Sequence, residues 1–338
     1  MTQREGLRRV SAMPEMSIAD PVIKFPLPLE DNTEFRTPAE KLFVLAHLGI
    51  PRVNVDSWSC QVAGLVSSPR LLRWDDLSGF PQRTVTTFFQ CAGNPLEPTV
   101  AARQIANLEW RGALLRDVLA QSGVAVHGTF VWAFGSDHGA FFGSPHQEHY
   151  VKDLPMDYVM THDVLVATHL NGEPLSLEHG FPARIVAPGY YGTNSVKWLC
   201  RLEVADRRAD AYFTKELYND PAQGGASRPV WEIEPESIIV RPTPESTVPG
   251  AEVVISGWAW SSAEIEFVEV STDGGTSWRS AQVEPRVGHA WQRFSLPWAP
   301  VEAGRFEILS RVTDIAGRRQ PLEGARNSVH RVQCIVSA

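Results

Sequence analysis

The sequence is short of the features that mark several protein classes. It has only 4 cysteines in 338 residues, far apart and without a CxxC pair, which argues against a zinc ribbon, a thioredoxin-type site or a disulfide scaffold. The net charge of −8 leaves no basic excess for binding nucleic acid or an anionic membrane. No run approaches the roughly 18 apolar residues that span a bilayer, so we expect neither a nucleic-acid partner nor a membrane span.

The amino terminus has no recognisable targeting signal. The start MTQREGLRRVSAMPEMS contains the basic pair Arg8–Arg9, but no apolar run follows it. Secretory and twin-arginine signals both need such a run. A cytoplasmic location is therefore expected.

The length and the distribution of proline predict two domains behind an arm. Residues 1–40 are rich in proline and charge and lack periodicity, which predicts an extended N-terminal arm that gains order only by packing on the body. Residues 41–230 carry short apolar runs and few helical patterns, the clearest being WRGALLRDVLAQSG at 110–123. Five prolines within residues 228–250 mark the next boundary.

Residues 231–338 carry apolar strands at a turn-punctuated spacing of about ten residues, which is typical of a β-sandwich of immunoglobulin type. The segment STDGG at 271–275 predicts a hairpin whose glycines adopt positive φ angles. The second domain is therefore predicted to be an all-β sandwich.

Cys91 is the first candidate for chemistry. In FFQCAGN at 88–94, a predicted strand ends at this cysteine and a Gly-Asn turn follows. A cysteine at the mouth of a loop is exposed enough to act as a thiolate ligand or a nucleophile. The alternative is a buried structural cysteine, which is also the expected state of Cys60, Cys200 and Cys334.

The second candidate segment is HGFPARIVAPGYYGTNSVKW at 179–198. It disperses cationic and hydrogen-bonding side chains among glycine and proline in a predicted loop. Such loops let N–H groups and positive side chains converge on a phosphate or a polar heterocycle. The alternative is a surface loop with scattered charges. The candidate side chains are His179, Arg184, Ser195 and Lys197.

Taken together, these segments resemble the sulfite oxidase family of molybdopterin-dependent oxidoreductases. Three stretches match in order and spacing: CAGN followed by WRGALLRDVL, the segment from NGEPL to SVKWL, and the C-terminal GWAW and STDGG. The resemblance covers residues 40–338. It implies a mixed α+β molybdopterin-binding catalytic domain at 41–230, followed at 231–338 by an all-β, immunoglobulin-like dimerisation domain.

The resemblance also implies a molybdenum–molybdopterin cofactor and oxygen-atom transfer. Cys91 matches the thiolate ligand, and soft sulfur donors suit this metal. Tyr218 matches the active-site tyrosine, with a core aromatic as the alternative, and Trp110 matches a tryptophan lining the pocket. The positions that would hold the pterin and its phosphate are His47, Asp137, His179, Arg184, Ser195 and Lys197.

The pattern departs from that of sulfite-oxidising members, which hold the oxyanion with several arginines because guanidinium groups match its geometry. The corresponding positions here are Leu45, Pro95 or Leu96, and Glu323. Two explanations stay open. Other basic residues, such as Arg52 or Arg103, fill the same space for sulfite; or the substrate is a neutral S-oxide or N-oxide.

Electrons are expected to pass to or from a separate partner such as a cytochrome, because no haem-binding segment is seen and no haem is expected. The resemblance allows a homodimer through the second domain. Its tryptophans, Trp258, Trp260, Trp278, Trp291 and Trp298, are compatible with an aromatic-rich interface, and most of them are equally compatible with the sandwich core.

Three readings outside the family also stay open. Cys91 with a histidine would suit a cysteine hydrolase. The second domain would suit a non-catalytic binding protein. A zinc site would use His138, His146 and His149.

Overall fold

The computed structural model describes residues 32–93, 104–141, 147–222, 225–324 and 326–337, together with the backbone of Val22–Lys24. Most of the predicted arm of residues 1–40 therefore lies outside the described residues. Val22–Lys24 forms a strand that pairs antiparallel with Val44–Ala46.

The first part of the chain is mostly β-structure with a few short helices. Its helices are α1 (Trp74–Ser78), α2 (Leu115–Ala120), α3 (Met156–Thr161) and α4 (Tyr212–Lys215), with 3-10 turns at Ala39–Lys41, Val55–Ser57, Leu177–His179 and Gly192–Asn194. Within the described ranges, no helix is long and apolar enough to cross a membrane. The strands are β1 (Val22–Lys24), β2 (Val44–Ala46), β3 (Ser59–Gly64), β4 (Arg70–Arg73), β5 (Gln82–Gln90), β6 (Ile105–Leu114), β7 (Phe130–Ala140), β8 (Gln147–Pro155), β9 (Leu165–Leu170), β10 (Glu173–Pro174), β11 (Arg184–Val186), β12 (Leu199–Ala205), β13 (Asn219–Pro221) and β14 (Ser227–Pro229).

Two five-stranded sheets organise this part. One has the order β10-β9-β6-β5 with β11 added to β9, and the other has the order β4-β3-β12-β7-β8. All neighbours are antiparallel except β3 and β12. The main core contains residues of both sheets, for example Val62, Val131 and Ile185. The short apolar runs of the sequence supply the side chains that pack between the two sheets.

The predicted helix at 110–123 begins later than the sequence pattern indicates. Residues up to Leu114 continue β6, which pairs with β5 on one side and β9 on the other. This pairing outweighs the helical periodicity, because sheet hydrogen bonds on both edges satisfy the backbone. Leu115, Val118 and Leu119 are buried as predicted, and Gly123 adopts a φ of +64° just beyond the helix.

The second part of the chain consists of two facing sheets, with orders β15-β17-β21-β20 and β16-β23-β22-β18-β19. A shared core lies between them and includes Ile255, Val268, Phe294 and Val312. As predicted, the glycines after β18 have positive φ angles of 69° and 95°. The strands are β15 (Glu236–Arg241), β16 (Thr247–Val248), β17 (Val253–Trp260), β18 (Ile265–Ser271), β19 (Arg279–Ser280), β20 (Gln282–Val283), β21 (Gln292–Trp298), β22 (Gly304–Asp314) and β23 (Arg331–Val336).

The tryptophans of the second part pack inside the chain. Trp258, Trp260 and Trp291 form a buried cluster with Phe88 and Ile105 of the first part, and Trp298 lies in the sandwich core. The idea that these side chains form a dimer interface is therefore wrong for all of them except Trp278, which is half-buried. Their indole surfaces instead join the two parts of one chain, where burial of large aromatics contributes most.

Candidate active site

A cavity lies beside the carboxyl end of β5. It gathers side chains from distant parts of the sequence, from Leu42 to Tyr218. All of the predicted site residues except Trp110 line it: His47, Cys91, Asp137, His179, Arg184, Ser195, Lys197 and Tyr218. The fold thus brings a thiol, an acid, an alcohol and several cationic or neutral nitrogen groups to one concave site, as expected of a cofactor pocket.

The Cys91 thiol faces the cavity but is not exposed to solvent. The residue is 7% exposed, so the expectation of an exposed cysteine is wrong. Its backbone N–H donates to the carbonyl of Gln104 at 2.9 Å, and its sulfur accepts a hydrogen bond from the N–H of Gly93 at 3.5 Å. Burial raises the pKa of the thiol, against the opposing effects of Gly93 and Arg326. A thiol in such surroundings ionises readily only when a cation binds it.

The strand that carries Cys91 is held by the second part of the chain. The indole N–H of Trp260 donates to the side-chain carbonyl of Gln90 at 2.9 Å, and the Gln90 amide donates to Glu236. Two residues earlier in β5, the N–H of Phe88 donates to the carbonyl of His289 at 2.9 Å. These contacts fix the end of β5, and therefore the position of the sulfur, from outside the first domain.

Arg184 is the buried cation that organises the 179–197 segment. Its Nη1 donates to the carbonyl of His179 and its Nη2 to the carbonyl of Ser195, both at 2.9 Å. The side chain is fully enclosed, and burial lowers the pKa of its guanidinium to about 9. Because these two donors bind main-chain oxygens, Arg184 shapes the loops that line the cavity.

Trp110 lies beneath Arg184 and does not line the cavity. The guanidinium carbon is 4.9 Å from the Trp110 ring centre, and the tryptophan is completely buried. The prediction that Trp110 lines the pocket is therefore wrong. Residues alternate in direction along β6, and this position points into the core, where its ring supports the arginine by a cation–π contact.

Asp137 and Lys197 give the cavity its buried charges. The Oδ1 atom of Asp137 is buried and has no hydrogen-bond partner. Burial raises the pKa of this carboxyl, opposed by the charge of Lys197. Burial and the charge of Arg184 in turn lower the pKa of the Lys197 ammonium, whose Nζ donates to the carbonyl of Glu178 at 3.1 Å. An unsatisfied buried acceptor is unfavourable by itself, which indicates a ligand with N–H donors at this position.

Tyr218 and His47 meet at the edge of the cavity. The tyrosine hydroxyl lies 2.5 Å from Nε2 of His47. Burial, reinforced by Lys197, lowers the pKa of His47 to about 4, so the imidazole is neutral at neutral pH. Burial and the nearby Cys91 raise the pKa of Tyr218, which keeps its hydroxyl protonated and able to donate a hydrogen bond. The ring of Tyr218 also packs against the cluster of Trp258, Trp260 and Trp291, while the residue lines the cavity.

The third arginine position, which the sequence places at Glu323, differs from the expectation. Glu323 is exposed, but Arg326 three residues later lies at the cavity mouth. Its guanidinium donates to the carbonyl of Ala92 and pairs with Asp220. The expected loss of a cation in this region is therefore wrong, because the loop places Arg326, and not Glu323, at the cavity mouth. The sequence feature that could have predicted this cation is the arginine of the nearby segment GARNSVH.

The other arginine positions differ from one another. Leu45 lines the cavity, at the position where the resemblance implies a missing arginine. Arg52 is exposed and is not among the residues that line it, so it does not replace the missing cation. Pro95, Leu96 and Arg103 lie outside the described residues.

The histidines proposed as a zinc site do not form one in the part of the chain that is described. His146 lies outside that part. The rings of His138 and His149 are 4.9 Å apart, but no group of three His, Cys, Asp or Glu residues within the described ranges could hold a metal ion. His149 instead uses Nδ1 to contact the carbonyl of Gly135 at 2.9 Å.

Comparison with known proteins gives two family matches. Residues 47–213 match the oxidoreductase molybdopterin binding domain, and residues 227–334 match the Mo-co oxidoreductase dimerisation domain. Mitochondrial sulfite oxidase of Rattus norvegicus is 32% identical over 317 residues, covering 84% of this chain and 57% of the relative. Sulfite oxidase of Gallus gallus is 31% identical over 319 residues, covering 85% and 68% respectively.

A solved structure agrees with these matches. The sulfane dehydrogenase SoxCD from Paracoccus pantotrophus superposes with a TM-score of 0.81 and 28% identity, covering 96% of this chain and 86% of that one. The fold and the site thus define an oxidoreductase built around a molybdopterin-binding domain. The chain belongs to the sulfite oxidase family. It spans less than two thirds of the length of its rat relative.

Proposed function

We propose that this protein is a molybdenum-cofactor oxidoreductase that transfers an oxygen atom at a centre ligated by Cys91. The observation that carries the proposal is the cavity itself, which joins the Cys91 sulfur to the unpaired carboxylate oxygen of Asp137 and the ammonium of Lys197. When bound, the molybdenum would exchange an oxygen atom and two electrons with a small substrate.

The protein's own groups fit the two ends of such a cofactor. The Asp137 carboxylate would accept N–H donors of the pterin, which removes the cost of its buried, unpaired oxygen. Lys197, His179 and the hydroxyl of Ser195, whose oxygen already accepts the N–H of Ala187, would bind the phosphate. Cys91 would bind the metal as a thiolate, because coordination compensates for a burial that otherwise keeps it protonated.

The raised thiol pKa also counts against a cysteine hydrolase, since a nucleophilic cysteine needs a lowered pKa. The decisive test is elemental analysis of protein expressed in a host that makes the cofactor. We expect equimolar molybdenum and the fluorescence of oxidised pterin on denaturation. Purified protein that contains neither, or that hydrolyses esters or amides without metal, would overturn the proposal.

Tyr218 is proposed to donate a hydrogen bond to the oxygen that is transferred, as negative charge develops there. We expect Tyr218→Phe to lower kcat by roughly tenfold to a hundredfold, the value of one hydrogen bond to a charged group, with unchanged molybdenum content. Tyr190→Phe is the control, because Tyr190 is a buried tyrosine that lies outside the cavity. Equal rates for Tyr218→Phe and the control would remove this role.

The relatives suggest the substrate class and the partners. The relatives include a sulfite oxidase and a sulfane dehydrogenase, so we propose that the substrate is a small oxidisable sulfur compound. We also propose that electrons leave to a separate carrier such as a cytochrome. The second domain, an immunoglobulin-type sandwich by its strand spacing, is proposed to mediate a homodimer. Reduction of a neutral S-oxide or N-oxide is the alternative, and the apolar Leu45 in the cavity wall favours it.

A further inference from the structure

The cavity adjoins a vestibule, a second space that shares Phe43, Leu45, His47, Cys91 and Tyr218 with it. Most of the vestibule wall is apolar and includes Phe43, Phe141 and Leu217 beside Leu45. Leu217 is 36% exposed, so this apolar wall reaches solvent. A substrate must therefore pass hydrocarbon and aromatic surfaces on its way to the Cys91 sulfur.

Arg326 is the only lysine or arginine among the described residues that line the vestibule. The Ala92 carbonyl and the Asp220 carboxylate hold its guanidinium in place. Its Nε–H is buried and has no partner. Asp220 offsets part of its charge, so the described wall of the vestibule combines one guanidinium group with little net positive charge.

The described part of this wall is poorly matched to sulfite. At neutral pH sulfite is a mixture of the monoanion and the dianion, and the dianion with its three oxygens is held well only by several cations. Burial of an unpaired oxyanion against Leu45 is unfavourable. An organic group in the same place would gain free energy by burial of its apolar surface. The wall therefore matches a sulfur oxyanion in which one oxygen is replaced by carbon.

We infer that the substrate class is an organosulfinate with an apolar substituent, which the enzyme oxidises to the sulfonate. Arg326 would bind the sulfinate oxygens, and Phe43, Leu45 and Leu217 would contact the organic group. The inference rests on the proposed function, since it needs oxygen-atom transfer beside Cys91. It names the substrate that the proposed function leaves open.

The reaction balances as R–SO₂⁻ + H₂O → R–SO₃⁻ + 2H⁺ + 2e⁻. The sulfur lone pair forms one new S–O bond, and the oxygen derives from water, whose two protons are released. Sulfur is oxidised by two electrons, which pass one at a time to a one-electron acceptor. The R–S bond stays intact, so an apolar R group can remain in the vestibule throughout.

The test compares substrates with the cofactor-loaded protein and ferricyanide as the acceptor. We expect kcat/KM for benzenesulfinate to exceed that for sulfite by about tenfold or more, because burial of its ring contributes about 25 cal/mol per Å² of apolar surface, with methanesulfinate between them. A calorimetric titration supplies a readout that does not depend on turnover. The product benzenesulfonate should bind more tightly than sulfate.

Two substitutions test the two halves of the wall. Leu45→Arg should raise kcat/KM for sulfite by roughly tenfold and lower it for benzenesulfinate, since it adds a cation and removes apolar surface. Arg326→Ala should weaken benzenesulfonate binding by about tenfold. Leu71→Arg is the matched control, because Leu71 is 53% exposed and lies outside the vestibule. It should change neither the ratio of kcat/KM for benzenesulfinate to that for sulfite nor the ratio of the affinities for benzenesulfonate and sulfate.

Several results would overturn the inference while the proposed function stands. They are molybdenum-loaded protein that prefers sulfite, that turns over only sulfoxides or N-oxides, or that binds sulfate more tightly than benzenesulfonate. Should Leu45→Arg fail to fold, two measurements on the wild type still test the inference. They are the kcat/KM values for benzenesulfinate and sulfite and the calorimetric affinities for benzenesulfonate and sulfate. Protein without molybdenum and pterin would instead sink the proposed function itself, so the two failures are distinguishable.

Discussion

Replacement of Cys91 by serine should reduce turnover by more than about a hundredfold while the chain still folds. Even outer-shell partners of metal ligands are worth about 10 to 100-fold in affinity or activity, and Cys91 is proposed to be the ligand itself. Serine keeps the size of the side chain but supplies a hard, protonated oxygen in place of a soft thiolate. The measurements are kcat, bound pterin and the circular dichroism of the variant beside the wild type.

Cys200→Ser is the matched control for this substitution. Cys200 is partly buried, lies outside the cavity and donates to the carbonyl of Phe134 at 3.4 Å, a bond that serine can also make. It should retain wild-type turnover. A Cys91→Ser variant with the turnover of this control would refute the role of Cys91 as the metal ligand.

Replacement of Arg184 by alanine should destabilise the chain and release the pterin. The guanidinium donates to the carbonyls of His179 and Ser195, and its loss leaves buried acceptors unsatisfied at about 1–3 kcal/mol each. A total of about 3 kcal/mol corresponds to a fall of about 6 to 12 °C in the thermal midpoint. The two loops would also separate, so pterin content after purification should fall with the midpoint.

Arg70→Ala provides the comparison. Arg70 is exposed and makes one 3.3 Å contact with the carbonyl of Gln121, so its removal should change neither the midpoint nor the pterin content. Arg184→Lys should fall between the two variants, because a lysine keeps the charge but lacks the planar fork that reaches two carbonyls. A midpoint for Arg184→Ala equal to that of Arg70→Ala would show that the guanidinium does not hold these loops.

The second part of the chain contributes directly to the site. Trp260 and Glu236 hold Gln90, the residue before Cys91, and Arg326 binds the carbonyl of Ala92, the residue after it. The residues before and after the proposed metal ligand are thus both bound by the second part of the chain. Substitutions in the sandwich are therefore expected to alter catalysis as well as association.

Much of the candidate site follows from local sequence. CAGN, HGFPAR and SVKW identify Cys91, His179, Arg184 and Lys197, because each residue is set in a short segment whose glycines and prolines shape the adjoining backbone. The strand pattern likewise predicts the β-rich second part and the positive φ angles of its glycines. These features depend on neighbours within a few positions, which is the range that a pattern can report.

Other features depend on contacts between distant segments, and only the tertiary structure decided them. The direction of Trp110 and the late start of the helix at Leu115 follow from pairing of β6 with two other strands. The burial of Cys91 follows from packing against Leu42, Phe89 and Ala106. Arg326 reaches the vestibule from the second part of the chain, where it binds the carbonyl of Ala92. The sequence by itself determined which chemical groups are available; the packing of two domains determined which of them meet, because burial and hydrogen bonding across a fold are not local properties.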